Sequence, residues 1–442
     1  MISSATQREL TALRAAAESS GYFYEQVRFL SNSIGPRLTG SLQAAAAVTY
    51  VANQMQDLGF RVTLEPVTVT PWVRGHEEAR LVRYPGQVPG TSQKLVVTTL
   101  GNSIATPDEG LTAPVTVVNT FEELDQLSAA VVKGRIVLFN CAFDEFAALA
   151  GRTDEAYRRA VPYRKSGPAR AAQKGAVAAL VRSVGPSGSR LTHAGRTNYE
   201  SGPKIPAGAI TAEDADLVAD LAVHGEIQVH LVLTPSELPS AQSYNVLADL
   251  EGAEHREQIV IVSGHLDSWD LGTGAIDDAS GVGVAMDVLR IIKGVRPRLA
   301  RTIRFVAWMN EENGSTGGRA YADDHKSELH NHVAAIELDY GDGRPLGLNV
   351  CASEDRLVQL SGLLHAIGDP IGGVFNMANS PGTDLAAMNQ AGVPAISPLQ
   401  DARHYFDFHH TAADTFDKVR IEELRRNLDV ISSLVYALAQ EE

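Results

Sequence analysis

The sequence predicts an α/β fold: a mostly parallel sheet flanked by helices and interrupted by an inserted, β-rich domain. Three observations carry that prediction. Short apolar, β-branched runs such as Ile259–Val262 alternate with stretches that are apolar at helical spacing, such as Val282–Ile292, and such alternation builds a parallel sheet covered by helices. From about Gly101 to Leu233 the character changes: valine-rich strands at Ala113–Val118 and Arg135–Phe139 alternate with short helices, Gly167–Gly175 among them, and close with Glu226–Leu233. Finally, 442 residues are ample for two or three domains. The expected division is 1–100 for the first part of the main domain, 101–235 for the insertion and 236–442 for the second part.

Residues 6–33 read as helical, with Leu10, Leu13 and Ala17 on one face and Phe23, Val27 and Leu30 on the next. SIGPRLTGS, residues 33–41, breaks that pattern with Gly35, Pro36 and Gly40. Ser41 is then a natural N-cap for an amphipathic helix whose stripe is Ala44, Val48, Val51, Met55 and Leu58. Gly59 ends it, and Arg61–Val69 alternates as a strand. Ser236–Ala241, with Pro239, reads as the linker returning from the insertion. Beyond it come strand 259–264, helix 281–294, strand Thr302–Met309, a helix around Gly318–His325, strand Val333–Leu338, strand Val393–Ser397 and the final helix Ile421–Ala439.

A formal net charge of -15 argues against nucleic acid as a partner, since a phosphate backbone asks for a basic face. No apolar run reaches the roughly 18 to 20 residues needed to cross a bilayer. The first residues, MISSATQRELTALRAAAE, lack the charged and apolar regions of a signal peptide, so the protein is cytoplasmic or the chain starts after a removed leader. The two cysteines, Cys141 and Cys351, sit beside apolar runs and read as buried free thiols.

Chemistry gathers at strand ends, where ligands collect in open α/β sheets. Strand 259–264 runs into His265 and Asp267, and a glycine-spaced loop then brings Asp277 and Asp278 to a helix N-terminus. Strand 302–309 ends in Asn310-Glu311-Glu312-Asn313, and adjacent carboxylates repel unless something cationic holds them. Strand 333–338 ends in Asp339, and Phe408–Thr415 brings His409 and His410 from a loop after the last strand. Imidazoles and carboxylates together form a ligand set for a divalent cation of the zinc type.

GHLDS with DDASG, then NEEN, ELDYG and HHTAADT, in that order, resemble the co-catalytic zinc exopeptidases that include the bacterial aminopeptidases and plasma glutamate carboxypeptidase. SIGPRLTGS resembles the latter branch in particular. KGRIVLF, AAQKGAVAALV and PAGAITAEDADLV look like the protease-associated domain found there. The resemblance implies the zinc exopeptidase fold, a peptide substrate, a homodimer and two zinc ions. His265, Asp277 and Asp339 would hold one ion, and Asp277, Glu312 and His410 the other. Glu311 would be the general base acting on a hydroxide shared by the ions, and Asp267 would fix the His265 tautomer through the other ring nitrogen. Some relatives place a tyrosine before the last histidine ligand as oxyanion donor; this chain has His409 there, so His409, Tyr405 or a zinc ion alone could serve. Asp384, in Ser380–Asp384, resembles a residue of a cleft-lining loop. The resemblance also implies a secreted or periplasmic protein if a leader was removed.

Other signals fail on their own terms. His76-Glu77-Glu78 is followed by Arg80 where H-E-x-x-H needs histidine. Gly272-Thr273-Gly274 lacks the third glycine of a dinucleotide loop, and Ser280 lacks the flanking glycine of a nucleophile elbow. His325, His330 and His332 read as a solvated helix end and loop. The leading expectation is an exopeptidase acting on dipeptides or short peptides with a free amino end. Its alternatives are a metal-free, receptor-like binding protein, which would purify inert, and a zinc aminoacyl cyclase, which would act on amino-terminal glutamine.

Overall fold

The computed structural model describes residues 4–200, 202–296, 298–368, 374–377 and 380–440. The chain divides into two compact units: one made of the residues up to Val69, Ser240–Tyr405 and the residues from Asp414 onward, the other of Thr70–Pro239 with Phe406–Ala413.

The first unit is built on an eight-stranded sheet. Its strands are β1 (Arg61–Val69), β2 (Ala241–Leu250), β3 (Gly252–His265), β4 (Leu299–Trp308), β5 (His332–Glu337), β6 (Pro345–Cys351), β7 (Val374–Met377) and β8 (Ala395–Gln400). Their spatial order is β1, β2, β4, β3, β5, β8, β6, β7. β4, β3, β5 and β8 pair in parallel, whereas β1 with β2, β2 with β4, and β6 with β8 pair antiparallel. The parallel middle is the part the sequence announces, because strands buried on both faces read as unbroken apolar runs. The flanking strands β2, β6 and β7 carry weaker patterns, and the sequence reading passes over them.

One face of this sheet is covered by helices Ser4–Ser19, Tyr22–Arg28, Leu42–Asp57, Ser280–Val295 and Ile421–Gln440, whose apolar stripes form one continuous core. Ser41 caps the third of these, its hydroxyl accepting from the Ala44 N–H at 3.0 Å. The other face packs on Tyr321, Leu385 and Met388. Helix Ser280–Val295 meets the strand end closely: a Cβ on Gly281 would stand 2.0 Å from the Leu338 carbonyl oxygen. Only glycine lets that first helical turn reach the place where β3 and β5 end.

The histidines near residue 330 differ from their expected solvated state. His332 is buried, with Nε2 2.8 Å from the Tyr321 hydroxyl, and burial holds its pKa down at about 4. His325 Nε2 lies 2.8 Å from Glu65 Oε1, and His330 alone is exposed. The polar network that takes the first two in includes Arg304 and Asp249, residues distant in sequence, so local composition gave no sign of it.

The second unit has its own eight-stranded sheet. Leu111–Val118, Ile136–Phe139, Ala178–Arg182 and Ala207–Ile210 run in parallel, with antiparallel strands on both sides. The division falls at 70 and 239 because Glu77–Arg83 pairs with Gln228–Leu233 within this sheet. Its main helix is Thr153–Gln173, longer than the short Gly167–Gly175 segment expected. Pro162, Gly167 and Pro168 all lie inside it, and the missing side chain at 167 admits the Phe139 ring, 2.9 Å from where a Cβ would be. Cys141 and Cys351 are both free and partly exposed, where burial was expected. No helix among the described residues is long and apolar enough to cross a membrane.

Candidate metal centre

Three neighbouring parallel strands end at one edge of the first sheet, and the register decides what meets there. His265, the last residue of β3, lies beside Trp308, the last of β4, and Ser263 lies beside Glu337, the last of β5. The next residues along each chain are therefore thrown together: His265 and Asp267, then Asn310–Glu312, then Asp339. Asp277 arrives from the loop ahead of helix Ser280–Val295, and the Asp277–Asp278 peptide bond is cis.

The side chains converge on the His265 ring. Its Nε2 is 2.9 Å from Asp277 Oδ1 and 3.3 Å from Asp339 Oδ1. Donor atoms of His265, Asp277 and Glu312 all lie within 4.8 Å of one another, as do those of His265, Asp278 and Asp339. Asp278 is otherwise engaged: its Oδ2 accepts from the His265 N–H at 3.0 Å and its Oδ1 from the Gly281 N–H at 2.9 Å. It therefore ties the end of β3 to the start of the helix, which leaves Asp277 as the better-placed donor.

Asp267 is fully buried and meets the other ring nitrogen of His265 through its main chain. Its carboxylate is 3.9 Å from His265 Nδ1, whereas its main-chain carbonyl is 3.0 Å away and takes that contact. The carboxylate faces the loop after β4. Oδ1 accepts from the Asn310 and Glu311 N–H groups at 2.8 and 3.1 Å, and Oδ2 from the Glu312 N–H at 3.3 Å and the Thr39 hydroxyl at 2.8 Å.

Two further residues, not singled out from the sequence, hold the loop that carries Asp277. Asp414 accepts from the N–H groups of Ala275, Ile276 and Asp277 at 2.9, 2.7 and 3.2 Å. Arg37, completely buried, donates to the carbonyls of Leu266, Thr273 and Gly274 at 2.9, 2.8 and 2.9 Å. Both residues lie inside motifs quoted above, but nothing local marks their function, since their acceptors and donors are far away in the chain.

The electrostatics are those of a site crowded with negative charge. Burial, followed by Asp339, Glu312 and Asp384, pushes the Glu311 carboxyl well above the carboxylate range, with His265 opposing. Burial does the same for Asp278, for Glu337 beside Asp384, and for Asp384, which rises to about 8. His265 is lifted well above its ordinary value because Asp339 and Asp277 outweigh its burial. So many neighbouring acids can be ionised together only with a compensating cation, and mixed imidazole and carboxylate donors match a zinc-type ion.

Glu311 is partly exposed and Glu312 buried. Tyr405 is buried in this unit, and burial followed by Asp277 and Asp339 raises its phenol well above the usual range. Asp384 is 1% exposed. His409 and His410 lie in Phe406–Ala413, the segment that groups with the second unit.

Convergent metal donors at the strand ends of an α/β sheet define the class: a metal-dependent hydrolase. Residues 245–435 match the profile of peptidase family M28, and residues 94–218 match the PA domain. Carboxypeptidase Q of Homo sapiens is 35% identical over 422 residues, covering 95% of this chain and 85% of that protein. Among solved structures, a peptidase M28 precursor from Shewanella amazonensis superposes with a TM-score of 0.90 at 34% identity, covering 99% of this chain and 97% of that one. A zinc aminopeptidase from Bacillus subtilis shares the fold with a TM-score of 0.68 at 20% identity, covering 95% of each chain. The chain belongs to peptidase family M28, carries a PA domain, and is a peptidase hydrolase.

Proposed function

We propose that this peptidase is a di-zinc exopeptidase that cleaves dipeptides and short peptides with a free amino terminus. The observation that carries the reading is the meeting of His265, Asp277, Glu312 and Asp339 donor atoms at one sheet edge. His265, Asp277 and Asp339 would hold one ion; Asp277, Glu312 and His410 would hold the other, with Asp277 common to both. When bound, the pair supplies Lewis acidity for the scissile carbonyl and the attacking water.

The chain's own groups do the rest. Glu311, partly exposed and with its pKa raised, accepts a proton from the attacking water at its carboxylate and returns it to the leaving amine. Asp267 holds the backbone on which Glu311 and Glu312 stand. Tyr405 remains an O–H donor through the neutral range, and its charged neighbours Asp277 and Asp339 favour it over His409 as the group that meets the developing oxyanion. Substrate side-chain preference would follow from pocket shape.

Glu311→Gln keeps the donor set and removes the base. It is expected to lower kcat by about a hundredfold or more while two zinc ions per chain remain by elemental analysis. Full turnover in that variant would remove Glu311 from its assigned role. A dipeptide panel with free and blocked amino groups tests the substrate class; equal rates on both would defeat the exopeptidase reading.

A further inference from the structure

Segment Phe406–Ala413 is held by residues of the inserted unit. Phe406 stacks on Tyr157 with ring centroids 4.6 Å apart and packs against Phe143 at 5.5 Å. His409 stands edge-on to Tyr157 at 5.6 Å and stacks with His410 at 3.6 Å. His410 has a left-handed backbone, φ 62°, a conformation a non-glycine residue keeps only when its surroundings impose it.

Ala194 imposes it through two hydrogen bonds. Its N–H donates to the His410 carbonyl at 2.8 Å, and its carbonyl accepts the His410 Nδ1–H at 3.1 Å. The same carbonyl accepts from Arg164 Nη1 at 3.1 Å, and that nitrogen also stands 3.4 Å from His410 Nδ1. Arg164 Nη2 donates to the Tyr157 hydroxyl at 3.0 Å. Tyr157 and Arg164 are two turns apart on helix Thr153–Gln173 and so share a face.

The place is shaped for the guanidinium. Arg164 is 3% exposed, and a Cβ on Gly195, at φ 139°, would stand 2.4 Å from its central carbon. Burying a guanidinium is costly, and here its acceptors are a carbonyl and a phenol. The Ala194 carbonyl can only accept, so the His410 ring proton that meets it sits on Nδ1. In that tautomer Nε2 is the ring's acceptor atom, the one that would take a metal ion.

We infer that the Ala194 carbonyl sets the tautomer and orientation of His410 and that Arg164, which donates to that carbonyl and to Tyr157, holds it in place, making Arg164 a positioning residue. The inference rests on the di-zinc reading, in which His410 is a ligand.

The test is zinc affinity of the full chain, measured by chelator competition, for Arg164→Met, Arg164→Lys, Tyr157→Phe and His410→Ala. Arg164→Met should weaken the more labile ion about tenfold or more; Arg164→Lys, which keeps a charged donor, should recover most of that loss. Tyr157→Phe should weaken it severalfold, and it serves as the test if Arg164→Met does not fold. The ring 15N shifts of His410 in the zinc-loaded chain should report a single Nδ1–H tautomer in wild type and a mixture in Arg164→Met. If His410→Ala keeps both ions, the ligand assignment fails and the inference falls with it. If His410→Ala loses one ion while the Arg164 and Tyr157 variants bind zinc like wild type, the inference alone is overturned.

Discussion

A guanidinium sealed from water must find its hydrogen-bond partners inside the protein, and Arg37 finds them in carbonyls of two distant loops. Its charge is favoured by Asp414 and Asp267, although burial lowers its pKa overall. Replacing it with methionine leaves the carbonyls of Leu266, Thr273 and Gly274 without that donor. Arg37→Met should therefore cost roughly 3 kcal/mol in urea unfolding, and Arg37→Lys should recover less than half, because an ammonium cannot span the fork of acceptors. A variant as stable as wild type would show that the three carbonyls find other partners. Arg37 also marks how far a sequence can be read. SIGPRLTGS shows its glycines and proline as a break, but the partner of Arg37 Nε is 229 positions away. The candidate donors His265, Glu312 and Asp339 were legible because each stands at the end of an apolar strand; Arg37 and Asp414 were not, because only folding brings them to what they hold.

At the scale of the element, the unit that matters is the turn after β4. Its successive N–H groups converge on one carboxylate, so Asp267 determines where Glu311 and Glu312 point. Asp267→Ala should lower kcat more than it raises KM, and weaken zinc binding about tenfold. Steady-state kinetics alongside chelator competition check this, and unchanged kcat with unchanged zinc affinity would deny the turn its importance. The parallel strands β3, β4 and β5 were readable from their apolar runs, and Ser41 from its capping pattern. β6 and β7 were missed because strands near a sheet edge need no continuous hydrophobic stretch. Helix Thr153–Gln173 was cut short for a different reason: it carries two prolines, and Gly167 answers the close approach of the Phe139 ring rather than helix propensity.

For the whole molecule, the raised carboxyls link stability to pH. Asp384 at about 8 and Asp414 at about 7 bind a proton more tightly folded than unfolded, where an aspartate titrates near ~3.9. Stability from such groups is present below the unfolded value and is lost as pH rises through the folded one. Metal-free protein should therefore show a thermal midpoint that falls between about pH 5 and pH 8. Zinc should flatten or reverse the slope by supplying the missing positive charge. Calorimetry in chelator and in zinc checks both; a metal-free midpoint that rises over that window would contradict the charge balance argued for the centre.

β1 and β2 are an antiparallel pair in which Val69 faces Ala241. Such ribbons are usually closed by a tight turn of two to five residues. Here the closing piece is an entire folded domain, and its own first and last strands already lie side by side, Trp72 against Glu237 and Val73 against Ser236. A floppy connection of that length would make the ribbon slow to zip, whereas a domain with clasped ends brings Val69 and Ala241 into register as soon as it condenses. The order of assembly follows: in pulsed hydrogen exchange during refolding, amides of Leu111–Val118 and Ile136–Phe139 should gain protection before those of Arg61–Val69. Protection of Arg61–Val69 first would mean that the ribbon zips without help from the domain it encloses.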